Sequence, residues 1–565
     1  MNPITRATVA TLPWLLVGLA SPAFPQARIP ATAQAAFDLD AVFGDIAPEG
    51  PGCAAGVSVA GVSRSIKAYG QADLEHRDPI TAETIFETGS LAKQFTAAAV
   101  LLLAQDGRLT LDDDIRRHLP EMPDYGTPIT IRHLLSHTSG LREQWSLLAL
   151  AGNPPGTQVH DQATILDLAS RQKGLNFRPG AEFLYTNTNY ALAAIIVERV
   201  SGKSLQQFTD QRLFRPLGMG RTWWREDFRT VVPGRATAYA QAGKGFIASM
   251  PFTNVYGNGG LLTTIGDLLR WNAFLDKPTA LLRGEDLVAA LQSPGHLSDG
   301  TRLDYALGLE ISRTHGQRLV SHSGSTGGYK AWLGRYPDQG ISVAILCNNG
   351  GIDPVAVGEK LAEQALRATG NSRDIAVATA PLPISIAATA ASPDLTPYQG
   401  LFRNPVTGEL VQTEVAKGRL TLRQGATDTL VALGGERFRR ADGTVLSFVR
   451  SGPRAVELIL GTGSMSRRFV AVPPARSGSA AFAEFVGDYY SAELDTRIAV
   501  VRQGDTLVMR QRFGIEWPLS PSFADGFTTR LRGTTTLVFG RAADGRVNGF
   551  GAWASGARNI SFVKQ

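Results

Sequence analysis

Apolar and polar positions along this chain change period several times. "GVSVAGVSRSIKAYG", Gly56 to Gly70, alternates with period two and contains Gly61 at its middle, which predicts a β-hairpin. "LAKQFTAAAVLLLAQDG" then switches to a long apolar helix over Leu91–Gln105, stopped by Gly107. Helical patterns recur at "TIRHLLSH", "NYALAAIIVERVSG" and "IGDLLRWNAFL". Three strand-like runs follow, "RLVSHSG", "YKAWLGRYP" and "ISVAILCNN", the last two joined at "PDQG". The helix "DPVAVGEKLAEQALRATG" closes this region. Strands at both ends with helices between them predict an α+β domain over 37–370, its antiparallel sheet assembled from both ends of the segment and flanked by helices.

The pattern then breaks. An Ala- and Pro-rich stretch within 371–393 reads as a linker. Beyond it the chain is all-β, and it repeats itself. "YQGLF" at Tyr398 matches "FVGDY" at Phe485, 87 residues on, and the same offset relates Leu420 to Leu507, Arg423 to Arg510 and Gln424 to Gln511. Two small antiparallel β-barrels are therefore expected, over 394–474 and 481–565, parted by "VPPARSGS".

Composition adds limits rather than a function. At 565 residues the chain is too long for one core, and 43% hydrophobic with 19% charged residues is ordinary for globular protein. The net charge of +6 sits in the tail, where Ser392 to Gln565 carry 22 basic and 15 acidic residues. Solvated Arg-rich strand faces explain that excess; attraction to anionic envelope polymers is the alternative. No basic run interleaved with aromatics points to nucleic acid. Residues 1–27 read as a cleavable leader: Arg6, the apolar "VATLPWLLVGLA", then small residues before a cut after Ala27 or Ala23. Its apolar part is short for a membrane span, no cysteine nearby suggests a lipid anchor, and no later stretch is long enough to cross a bilayer. A periplasmic or secreted protein is expected. Cys53 and Cys347 are the two cysteines; in an exported protein they are either a disulfide between neighbouring strands or two buried thiols.

Chemistry enters at Ser90 and Lys93. The string S-x-x-K occurs three times, also at Ser170–Lys173 and Ser561–Lys564, so the spacing alone means little. Ser561 lies in a strand pattern, where positions three apart face opposite ways. Lys173 closes a helical pattern and suits the negative end of its dipole. Ser90 and Lys93 instead share the first turn of the apolar helix, where the positive helix end and burial both favour a neutral amine able to act as a base. The competing reading is an N-cap serine beside a buried lysine stem. Tyr185 and Asn187 stand ahead of another helix. A tyrosine near a lysine cation is expected to ionise more easily and to relay a proton, while Asn187 holds a substrate carbonyl or orients Lys93. His322-Ser323-Gly324 supplies a histidine for the Tyr185 oxygen or a substrate carboxylate, and a glycine that lets a substrate backbone approach. His133 and His137 are four apart on a helix, but the glutamate of H-E-x-x-H is missing, so no metal is expected. A G-x-S-x-G elbow is absent too.

Taken together, Ser90-x-x-Lys93, Tyr185-x-Asn187 and the third box His322-x-Gly324 resemble the serine β-lactamase, penicillin-binding and D-aminopeptidase superfamily over most of 37–370. "HLLSHTSGL", "GNGGLLTTIGDLLRW" and "PGCAAGV" agree with it. The resemblance implies that Ser90 is acylated, that Lys93 and Tyr185 form its acid–base network, and that the backbone N–H groups of Ser90 and Ser325 form an oxyanion hole, with no cofactor. The third box departs from the usual lysine-threonine-glycine. A histidine there is like the D-aminopeptidases and some DD-peptidases and argues against β-lactam hydrolysis. Two trailing barrels resemble the D-aminopeptidase architecture with its lipocalin-like barrels, in which a loop of the last barrel reads a free amino group. The candidate loop is "SPSFADGFTT" with Asp525, against an ordinary turn aspartate. The expected function is an exported serine hydrolase of D-aminopeptidase, D-amino-acid amidase or DD-peptidase type, acting on small peptides, amides or cell-wall fragments. An esterase, or a non-catalytic β-lactam- or peptidoglycan-binding envelope protein, is the alternative.

Overall fold

The computed structural model describes residues 37–314, 316–368, 394–462, 466–475 and 479–565. The leader and the linker read from the sequence lie outside them.

A six-stranded antiparallel sheet organises the first region. Its order is Glu310–Thr314, Gln317–Thr326, Tyr329–Tyr336, Ile341–Cys347, Cys53–Val59, Val62–Tyr69, so the first hairpin of the chain closes against its last strand. Period-two alternation sends Ala344 and Leu346 to one face and Ile341, Val343, Ile345 and Cys347 to the other. The first face meets the large helical layer; the second meets the helices Leu39–Phe43 and Pro354–Ala368. Cys53 pairs with Cys347 in register, and the two form a disulfide across a separation of 294 residues. The in-register pairing decides between the two readings of these cysteines.

The apolar helix of the sequence is Lys93–Gln105, preceded by a 3-10 turn over Gly89–Ala92. Every residue from Lys93 to Leu103 is buried, because the helix is apolar on all sides and runs through the centre of the layer. It packs beside the helix Asn187–Ser201.

Both all-β regions are present. Strands Gly487–Ser491 through Ala557–Lys564 form a closed eight-stranded barrel. The region before it is a nine-stranded sheet whose end strands, Ala426–Thr429 and Val431–Gly434, are consecutive in sequence, so it curls nearly shut. The offset of 87 maps strand onto strand: Gly400–Arg403 falls on Gly487–Ser491, Leu410–Ala416 on Thr496–Gln503, and Arg419–Gln424 on Thr506–Arg510.

The closed barrel is not a free appendage. The helix Gln144–Leu150 buries Trp145, Leu147, Leu148 and Leu150 in the same apolar cluster as Phe482, Phe485, Met509 and Phe562 of the barrel. Gln511 donates to the carbonyls of Ala149 and Leu150, both at 2.9 Å, and Thr496 donates to that of Ala151 at 3.0 Å.

Candidate active site

Ser90 sits in the 3-10 turn, where Gly89 has φ +55°. The strand Gln317–Thr326 crosses this turn closely. A methyl group at Gly324 would lie 1.8 Å from the carbonyl oxygen of Thr88, and one at Gly89 would lie 2.6 Å from the backbone nitrogen of Ser325. The glycine of the third box thus admits the protein's own backbone rather than a substrate's, which corrects the sequence reading, and it brings Ser325 beside Ser90.

Lys93 follows on the first residue of the α-helix, completely buried. Its ammonium nitrogen reaches Ser90 Oγ at 3.1 Å, Asn187 Oδ1 at 2.9 Å and the carbonyl oxygen of Asn258 at 2.7 Å. It lies 4.9 Å from the ring centre of Tyr185 and 5.6 Å from that of Tyr190. Burial lowers its pKa to about 7, against the opposing pull of the Glu143 carboxylate. A lysine poised there exchanges its proton near neutrality.

The easy ionisation expected of Tyr185 is not found. Burial raises its pKa above the ordinary phenol value, the neighbouring Ser90 hydroxyl offsets this in part, and the carboxylates of Glu143 and Glu310 raise it further. The nearby lysine is itself held near neutrality, so it supplies little cationic help. Tyr185 therefore stays an O–H donor, and the basic partner of Ser90 is the amine.

His322 is also placed differently from the expectation that it donates to Tyr185. Its Nδ1 donates to the carbonyl of Ser323 at 2.6 Å, and its Nε2 then accepts from the Tyr305 hydroxyl at 3.2 Å. The Tyr185 ring centre is 6.3 Å away. Burial, then Lys93, lower its pKa to about 4, so the imidazole is neutral. It shapes the wall of the site.

His137 lies behind this wall. It packs at a tilt against Tyr185 with ring centres 4.3 Å apart, and its Nδ1 accepts from the Thr186 N–H at 3.3 Å. Among the described residues no cluster of histidines, cysteines and carboxylates could hold a metal ion.

Sequence reasoning missed Glu143. This buried carboxylate accepts from the Asn187 backbone N–H at 2.6 Å, the Asn187 side-chain amide at 3.1 Å and the Thr186 hydroxyl at 2.9 Å. It turns the Asn187 oxygen toward Lys93. Glu143 is held in turn by the last barrel: its N–H donates to the carbonyl of Gly556 at 2.8 Å, and the Ser146 hydroxyl donates to that of Ser555 at 2.6 Å. Its place just after "HTSGL" was the one signal available.

Two cavities meet at Ser90 and Ser325. One, of about 460 Å³, is lined by Asn187, Trp145, Met250, Phe252, Glu87 and Arg532 among others. The other, of about 380 Å³, is lined by Tyr185, His322, Glu310 and Lys330. Asp525 is not in either lining; it pairs with Arg541 at 2.6 Å at the turn before Gly526, the ordinary role weighed for it. A barrel turn, Leu531–Gly533, joins the lining of the larger cavity beside Ser90 through Arg532.

A serine bonded to a buried, weakly basic lysine at the head of a central helix, below a sheet edge, defines a serine hydrolase of the peptidase and amidase kind. The comparisons agree. Residues 41–367 match the family described as Beta-lactamase, and the chain belongs to it. The D-aminopeptidase of Brucella canis is 28% identical over 533 residues, covering 91% of this chain and 96% of that one. Two solved structures share the fold. The octameric penicillin-binding protein homologue from Pyrococcus abyssi aligns at TM-score 0.51 and 23% identity, over 75% of this chain and 96% of its own. The D-amino acid amidase from Ochrobactrum anthropi SV3, complexed with L-phenylalanine amide, aligns at TM-score 0.50 and 25% identity, over 61% and 100%.

Proposed function

We propose that this chain hydrolyses amides or short peptides of D-amino acids through an ester on Ser90. The observation that carries the reading is the 3.1 Å contact between Ser90 Oγ and a Lys93 nitrogen whose pKa is lowered to about 7. Neutral Lys93 takes the Ser90 proton as Oγ attacks the substrate carbonyl. The backbone N–H groups of Ser90 and Ser325 receive the developing oxyanion. Tyr185 passes its proton to the leaving nitrogen as the C–N bond breaks and takes back the one Lys93 removed from Ser90, which leaves the phenol intact and the amine neutral. Water then attacks the ester with Lys93 again as base, releasing the acid and restoring Ser90. The D-amino acid is supported by the names of the curated relative and of the amidase alone.

Export is part of the same proposal, supported by the leader pattern of residues 1–27 and by the Cys53–Cys347 bond. The mass of the secreted protein reports it, with a start after Ala23 or Ala27 expected.

The test of function is hydrolysis of D- and L-phenylalanyl p-nitroanilide by wild type and Ser90→Ala. D-selective release that vanishes in the variant supports the reading. Equal rates on both enantiomers would remove the D-amino acid, and unchanged release by Ser90→Ala would remove the nucleophile.

A further inference from the structure

The two cavities beside Ser90 differ in charge, and the difference bears on which substrates fit. Tyr185 lines only the smaller one. On the proposed mechanism, the acid that protonates the leaving nitrogen stands on the leaving group's side, so the amine departs there. The acyl part then occupies the larger cavity, with Asn187 and Arg532.

That cavity has one carboxylate in its lining among the described residues, Glu87, and it is already taken. Glu87 is buried and receives Arg225 at 2.9 and 3.0 Å and Arg235 at 3.1 Å. Arg532 has no ion-pair partner among the described residues. It stands on the turn between the barrel strands Gly526–Arg530 and Thr534–Arg541 and shares the cavity lining with the apolar side chains of Trp145, Met250 and Phe252. An ammonium group on the acyl part would meet the Arg532 guanidinium and no free carboxylate, since the one carboxylate of the lining is engaged by Arg225 and Arg235. A carboxylate would meet an unpaired guanidinium able to hold it with two parallel hydrogen bonds.

We propose that the acyl part of the preferred substrate carries an anionic group, in first place a carboxylate, which Arg532 receives. This rests on the acyl-enzyme reading and narrows it. The substrate class becomes amides whose acyl side bears an acidic side chain or an acidic cap on the nitrogen, rather than a free α-amine.

The probes are three D-phenylalanine-derived diphenyl phosphonates that differ only on nitrogen: succinyl, acetyl or free amine. Rates of covalent labelling of Ser90 are followed by intact mass in wild type, Arg532→Ala and Arg532→Glu. The matching p-nitroanilides are run beside them. Succinyl is expected to label wild type about ten-fold faster than acetyl and faster still than the free amine. Arg532→Ala should bring the three together, and Arg532→Glu should favour the free amine over succinyl. Fastest labelling by the free amine in wild type, or a rate order that ignores residue 532, overturns the proposal. Labelling in the expected order without release from any anilide leaves the charge assignment standing and removes the amidase reading. No labelling by any probe overturns both.

Discussion

Glu143 grips Asn187 at two points, the backbone N–H at 2.6 Å and the side-chain amide at 3.1 Å, and so presents the Asn187 oxygen to Lys93 at 2.9 Å. The carboxylate also raises the pKa of Lys93 against the effect of burial. Glu143→Ala is expected to lower kcat/KM by about ten- to a hundred-fold through lost positioning. It should also move the acid limb of the pH profile to lower pH, because removing a nearby negative charge destabilises the lysine cation. A fall in rate with an unmoved limb would show that Glu143 holds structure alone.

The wild-type limb has its own sign. The active base is neutral Lys93, and its pKa is lowered to about 7. Activity should therefore rise with pH through about 7 and level off above it. His322, lowered to about 4, stays neutral across this range and adds no second step. A profile flat from pH 5.5 to 8.5 would place the working proton elsewhere.

Tyr185 is held as a phenol by burial. Tyr185→Phe removes the donor but little volume, so the fold should stand while kcat falls about two to four orders of magnitude. Amide substrates should suffer more than activated esters, whose leaving group departs without a proton. Equal losses on both would argue against the leaving-group role.

Gly556 ties the last barrel to this network. Its φ is +71°, and a side chain there would begin 2.7 Å from the Glu143 side chain. Gly556→Val should strain the contact by about 1–3 kcal/mol and lower kcat/KM about ten-fold, although the residue touches no substrate. Recovery of wild-type kcat/KM in Gly556→Val would mean that the turn is a passive spacer.

The Cys53–Cys347 bond closes a loop of 294 residues. Chain entropy puts its stabilisation at about 6 kcal/mol as an upper figure. C53A/C347A should unfold at a temperature several degrees lower by calorimetry, with kcat/KM at 25 °C little changed. An unchanged midpoint would assign the cohesion of that sheet edge to packing alone.

Short-range spacing made part of the site legible. Ser90 and Lys93 share one helix start, and Asn187 opens a second, so local periodicity placed all three. The repeat offset of 87 marks the two β-rich regions in the sequence itself. Glu143 was not legible, because its role comes from Asn187, 44 residues away, and from a hairpin in the last barrel. Arg532 reaches Ser90's cavity only after the barrel docks, which no local pattern encodes. The phenol state of Tyr185 and the neutral imidazole of His322 depend on burial, and burial is a property of the assembled layers.

The apolar cluster shared by the helix Gln144–Leu150 and the closed barrel makes this chain poorly separable. Cut after Ala368, it would turn Trp145, Leu147, Leu148 and Leu150 outward, at roughly 1.5–3 kcal/mol for each large side chain exposed. The fragment would lose the footing of its own nucleophile along with its tail. In lineages that carry this arrangement the barrel should resist exchange or deletion as a cassette, and it should change in step with the segment that follows "HTSGL" rather than on its own.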